Sequence, residues 1–107
     1  MTLNEYQALA QRTSSTKYPF DKISNGCMGM CGEAGETIDL LKKYEWQGHQ
    51  LDAEKLIDEA GDCLWYIAEL ACGLGVTLEG IAKHNLEKLK KRYPKGFSVD
   101  KSVNREE

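Results

Sequence analysis

Proline is scarce in this chain, present only at positions 19 and 94, and the long stretch between them contains none. That favours helices over a sheet. Long apolar runs are absent too, and nothing approaches the roughly 20 residues needed to cross a bilayer. The opening residues, Met1-Thr2-Leu3-Asn4-Glu5, lack the basic and apolar regions of a signal peptide, so the expected location is cytoplasmic. An excess of positive charge is also missing: 14 Lys and Arg face 17 Asp and Glu, for a net charge of −3. A groove for a nucleic-acid polymer is thereby disfavoured, since counterion release needs clustered cations. A phosphorylated small molecule stays admissible, provided that metal ions mediate the contact. No C-x-x-C occurs among Cys27, Cys31, Cys63 and Cys72. All four sit within apolar helical patterns and read as buried free thiols, with a zinc site using His49 or His84 as the alternative.

At 107 residues, with 41% hydrophobic and 29% charged side chains, the chain has the makings of one ordinary domain. A single core of this size is only modestly stable, so association with a second copy is plausible. Thr2-Leu3-Asn4-Glu5 has the form of a capping box and predicts a short helix with Leu3, Tyr6 and Leu9 or Ala10 as its buried stripe. The Ser/Thr cluster from Thr13 to Thr16 and then Tyr18-Pro19 end it. A second helix is expected to begin between Ser24 and Met28 and to run to about Tyr44. Its apolar positions are Cys27, Met30, Cys31, Ala34, Ile38 and Leu41. Gly26, Gly29, Gly32 and Gly35 each cost about 1 kcal/mol in a helix interior relative to Ala. So many glycines imply close approach of another backbone.

Gln47-Gly48-His49 reads as a turn, and Asp52 as the N-cap of a third helix with Leu56, Ala60, Cys63, Leu64, Ile67, Ala71 and Leu74 as its stripe. Gly73 and Gly75 close that helix. Thr77 caps a fourth, in which Ile81, Leu86 and Leu89 are apolar and Lys88, Lys90, Lys91 and Arg92 load the C-terminal end. Pro94 and Gly96 stop it. Residues 98–107 read as a polar tail.

Two short motifs carry the chemistry. Glu33-Ala34-Gly35-Glu36 is an E-x-x-E, and Glu59-Ala60-Gly61-Asp62 is an E-x-x-D. A spacing of three advances about 300° around a helix, which keeps both members of each pair on one face. Each pair is embedded in apolar sequence, between Cys31 and Ile38 in one case and between Ile57 and Leu64 in the other. Four carboxylates gathered between packed helices repel one another, and a hard divalent cation removes the conflict. A di-iron centre needs Glu-x-x-His, and neither His49 nor His84 has a Glu three residues earlier. An oxygen-only site for Mg²⁺, or Mn²⁺ in its place, fits better. Asn85, Lys88 and Arg92 share a face of the fourth helix and are suited to phosphate. A solvated acidic face and a solvated basic helix end are the plainer readings of the same residues.

Gly29-Met30-Cys31-Gly32-Glu33-Ala34-Gly35-Glu36, with Asp39 and Lys42-Lys43 after it, resembles the first motif of MazG-like nucleotide pyrophosphohydrolases. Asp58-Glu59-Ala60-Gly61-Asp62-Cys63-Leu64-Trp65-Tyr66 is similar to the second motif. The segment from Asn85 to Pro94, followed by Gly96-Phe97, matches the closing one. The resemblance spans roughly residues 3 to 105 and is to the short, single-domain branch. Cys31 and Thr37 depart from it, standing where many relatives carry aliphatic residues.

The resemblance implies an all-α bundle of four to five helices, of the NTP pyrophosphatase type, assembling as a dimer or tetramer. The single domain would cover 1–107, with its core at about 3–97. Glu33, Glu36, Glu59 and Asp62 would bind Mg²⁺ and serve catalysis, with Glu36 or Glu33 orienting or deprotonating water. Asn85, Lys88 and Arg92 would lie near the phosphates, Tyr66 near the sugar or base, and Trp46 or Trp65 in the base pocket. The implied activity is cleavage of (deoxy)nucleoside triphosphates to monophosphate and pyrophosphate. A different phosphorylated substrate, or a non-catalytic nucleotide- or metal-binding module, is the alternative.

Overall fold

Helix α2, Pro19–Trp46, and helix α3, Ala53–Leu74, form the body of the molecule as a long packed pair. They are seen in a computed structural model that describes residues 1–15 and 17–105; Thr16, Glu106 and Glu107, which the sequence reading assigns to a helix stop and to the tail, lie outside the described residues. Helix α1, Leu3–Ala10, continues into a 3-10 turn at Gln11–Thr13 and lies across α3 and helix α4, Leu78–Arg92. A last short helix, α5, occupies Val99–Val103 within the segment read as a polar tail. The fold is thus an all-α bundle of five helices among the described residues.

Local chemistry sets the boundaries. Thr2, Asp52, Thr77 and Ser98 each cap a helix by accepting a backbone N–H, from Glu5, Lys55, Gly80 and Lys101 respectively. Gly75 ends α3 in the left-handed conformation at φ 72°, which glycine adopts without a Cβ clash. Pro19 acts differently from the expectation. Rather than only ending the preceding segment, it stands at the first position of α2, where its missing N–H costs nothing and its fixed φ suits the helix. The helix therefore starts well before Ser24.

The glycine argument holds for half of the set. A Cβ on Gly26 would meet the Leu70 backbone nitrogen at 2.8 Å and the Tyr66 carbonyl at 2.9 Å, and one on Gly29 would overlap the Tyr66 ring. Gly32 and Gly35 face open space. Hence α2 turns Gly26, Gly29 and the half-buried Met30, Glu33, Thr37 and Leu40 inward. Of the apolar row anticipated as buried, Met30 alone is half-buried, and Cys27, Cys31, Ala34, Ile38 and Leu41 are exposed. Cys27 and Cys31 are accordingly exposed free thiols, while Cys63 and Cys72 are half-buried. A similar correction applies to α1. Leu3 and Leu9 face solvent, and the buried positions are Ala10 and the polar Gln7.

Gln7 is accommodated because every one of its polar atoms is used. Its Oε1 accepts from the Leu78 N–H at 2.7 Å, and its Nε2 donates to the Val76 carbonyl at 3.0 Å and to the Cys72 Sγ at 3.3 Å. Glu69, fully buried on α3, is the second such anchor. It accepts from Gln11 at 3.0 Å, Ser14 at 2.8 Å and Asn25 at 2.8 Å, with the Lys22 Nζ 3.5 Å away. Burial pushes the Glu69 carboxyl up, but these donors outweigh it and hold the group below the usual carboxylate range. The N-terminal segment is in this way strapped onto α2 and α3 by polar contacts.

The apolar core is small. Only Ala10, Ala68, Ala71 and Leu78 are buried hydrophobics among the described residues, with Tyr6, Leu64, Trp65, Ile67 and Ile81 packed around them. The radius of gyration is 16.8 Å, against about 13 Å for a compact chain of this length.

Two predictions follow from these contacts. Gly26→Ala should lower unfolding free energy by about 1–3 kcal/mol in denaturant titrations, because two backbones must separate to admit one methyl. Because the Glu69 carboxyl is held low, its stabilising effect is complete above the ordinary glutamate range and fades as pH falls toward its lowered value. Thermal melts across that acid range should show a falling midpoint, with a shallower slope in Glu69→Gln.

Candidate metal and phosphate site

The close approach of α2 and α3 carries Glu33 to the acids of the opposite helix. One carboxylate oxygen each from Glu33, Glu59 and Asp62 lies within 4.8 Å of the other two. Glu33 and Glu59 are half-buried and Asp62 is exposed. The Oε2 atoms of both Glu33 and Glu59 are buried without a hydrogen-bond partner. The Glu59 carboxyl is raised above its usual range, chiefly by the Glu33 carboxyl against it and then by desolvation, while Glu36 pulls in the opposite direction. Glu36 itself is exposed and stands at the edge of the cluster.

Hard oxygen donors, convergent geometry and buried orphan oxygens are what an Mg²⁺ or Mn²⁺ ion requires. The residues fit the ion. Cys and His take no part in this cluster.

Glu33 and Asp62 also line an open cleft of about 340 Å³ whose other wall is Trp65 and Tyr66. Tyr66 is therefore next to the acids, as its position one turn beyond Asp62 suggests. Trp46 is 80% exposed, at the far end of α2. Tyr6, packed against the core, has its phenol raised by burial and then by the negative charge of Asp62.

The phosphate row is elsewhere. Asn85 and Lys88 are exposed on α4, with Arg92 half-buried beyond them. The axis of α4 turns by 96° from that of α3. At 1.5 Å per residue, Asp62 lies about 18 Å before the corner and Lys88 about 15 Å after it, placing them more than about 20 Å apart.

In this all-helical protein a carboxylate cluster set between two antiparallel helices, opening on an aromatic-walled cleft, has the donor set of a metal site. Residues 25–97 match the MazG nucleotide pyrophosphohydrolase domain, and the chain belongs to this family. A relative, the Gene 37 protein of Mycobacterium phage L5, is 34% identical over 116 residues, covering 98% of this chain and all of the relative. No solved structure matches. The family match ends at Phe97, where the segment containing α5 begins.

Neutralising one acid of a repelling set should show in stability. Without divalent cations, Glu59→Gln should melt higher than the wild type. With Mg²⁺ the order should reverse, since the wild type gains a ligand that binds only the folded state. Differential scanning fluorimetry with and without Mg²⁺ reads both effects.

Proposed function

We propose that this chain hydrolyses (deoxy)nucleoside triphosphates to the nucleoside monophosphate and pyrophosphate in an Mg²⁺-dependent reaction. The observation that carries the reading is the convergence of Glu33, Glu59 and Asp62, with unpartnered buried oxygens, beside an aromatic cleft in a chain of this family. Mg²⁺, or Mn²⁺ in its place, would supply neutralisation of phosphate charge and acidification of water. Glu33, Glu59 and Asp62 are the residues that would hold it. Glu36, exposed beside Glu59, would orient the attacking water and accept its proton. The water oxygen bonds to the α-phosphorus as the α–β bridging bond breaks, and pyrophosphate leaves with the bonding electrons. Tyr66 borders the sugar or base.

A second copy of the chain completes the site in this proposal. The exposed row Cys27, Cys31, Ala34, Ile38 and Leu41 recurs at alternating spacings of four and three, the pattern of a seam between packed helices. Ile57 and Ala60 on α3 are exposed as well. Packing two such faces in a homodimer, or in a tetramer built from it, would bury a surface too apolar to stay wet. It also offers the α4 row of one copy, Asn85, Lys88 and Arg92, to the phosphates held at the acids of the other.

Phosphorus NMR on a mixed nucleotide pool tests the reaction. Pyrophosphate and monophosphate signals should grow only with Mg²⁺ or Mn²⁺, and Glu36→Gln should slow their growth by about a hundredfold or more. Binding without turnover would instead identify a nucleotide-binding module. The shared site has its own test. Asp62→Asn and Lys88→Ala should each be nearly inactive, yet mixing and re-equilibrating the two should restore about a quarter of wild-type activity through hybrid dimers. If no activity returns, each site is built from one chain.

A further inference from the structure

We propose that the distal half of α4 and the turn after it bind single-stranded nucleic acid, at a surface separate from the carboxylate cleft. A net charge of −3 disfavours such a polymer only while the charges are mixed, and here they are segregated. Residues 83–107 hold eight of the fourteen Lys and Arg but only four of the seventeen Asp and Glu, and Glu87 is the sole acid from Gly80 to Val99. Much of this segment stands clear of the helical body. Helix α4 turns 96° from the axis of α3, and every residue from 83 to 91 is exposed.

Lys83 is engaged by Glu79 at 3.7 Å, one turn earlier. Lys88, Lys90, Lys91 and Lys95 enter no ion pair among the described residues. At about 100° per residue, Lys88, Lys90 and Lys91 leave the helix on different sides, so they do not converge on one point as a compact polyphosphate requires. A long flexible polyanion follows such a row and releases its counterions. Beyond the helix the cations meet aromatic rings. Gly96, at φ 90°, closes a turn in which its N–H donates to the Tyr93 carbonyl at 3.1 Å. That turn carries Lys95, sets the Phe97 and Tyr93 ring centroids 5.5 Å apart, and leaves Phe97 75% exposed. Exposed rings among cations are what unpaired bases stack on, whereas the bases of a duplex are already stacked on one another. The apolar side of α4 is too narrow to favour a membrane, since from 83 to 92 it offers only Leu86 and Leu89.

Fluorescence anisotropy of a labelled oligothymidylate, titrated with the full chain in EDTA, is the test. Binding should be saturable at low salt, with the logarithm of the affinity falling linearly against the logarithm of salt concentration. Replacing three cations together, Lys90→Gln, Lys91→Gln and Lys95→Gln, should weaken binding about tenfold or more and flatten the salt slope by about two. Phe97→Ala should weaken it about tenfold with the slope unchanged, since stacking releases no ions. An oligothymidylate that fails to bind, or that binds the triple variant as well as the wild type, would overturn the inference. So would equal affinity for a blunt duplex, displacement by inorganic tripolyphosphate at matched phosphate concentration, or capture by phosphatidylserine vesicles in place of the oligonucleotide. Those three results would assign the arm to phosphate backbones of any form, to a compact polyphosphate and to an anionic membrane, respectively. The hydrolytic reading depends on none of these outcomes.

Discussion

Two helices bring their backbones together only where one of them has no side chain in the way, and α2 meets α3 on that condition at Gly26 and Gly29. The contact is tight enough that a single methyl at Gly26 would strike the opposite main chain. Glu33 lies two turns beyond Gly26 and one beyond Gly29, so the same approach determines how near its carboxylate comes to Glu59 and Asp62. A wider separation would relax the repulsion and dissolve the cluster. Packing and chemistry are here one constraint seen from two sides.

Helix α3 carries two acidic centres with opposite fates. Glu69 is surrounded by Gln11, Ser14, Asn25 and Lys22, and its charged form is favoured. Glu59, three turns earlier, meets other carboxylates, and its charged form is opposed. The first is a closed account of hydrogen bonds that holds the N-terminal strap. The second has buried oxygens with nothing to bind, an arrangement that folding alone does not reward. This contrast is the physical reason for reading Glu69 as architecture and the other cluster as a place for a ligand.

The strap and the open apolar face have complementary consequences. The strap lies against one side of α3 and brings the Ala10–Thr13 turn against Trp65. The opposite exposure, along α2, leaves a thin core and an extended chain. In the dimer proposed above, that face acquires the cover that a 107-residue chain does not supply for itself.

Much of the architecture was legible in the residues. Helix caps at Thr2, Asp52 and Thr77 and the stop at Gly75 follow from local hydrogen bonding and glycine's freedom at positive φ, and no distant contact is needed to set them. The acidic pairs were legible for the same reason, since a spacing of three on one helix fixes a shared face. Glu69 also left a signal, being the only charged residue between Cys63 and Leu78. Its partners did not, because Gln11, Ser14 and Asn25 meet it across the fold. Nor did the direction of α2's apolar row, since periodicity says which residues share a face but not what that face touches. The sequence by itself determined the helices, their ends and the pairing of acids along each, because these depend on interactions within a few residues. Only the tertiary structure decided which face of α2 turns inward, that Glu33 meets Glu59 and Asp62, and that α4 turns away from them, because each depends on where one helix lies against another.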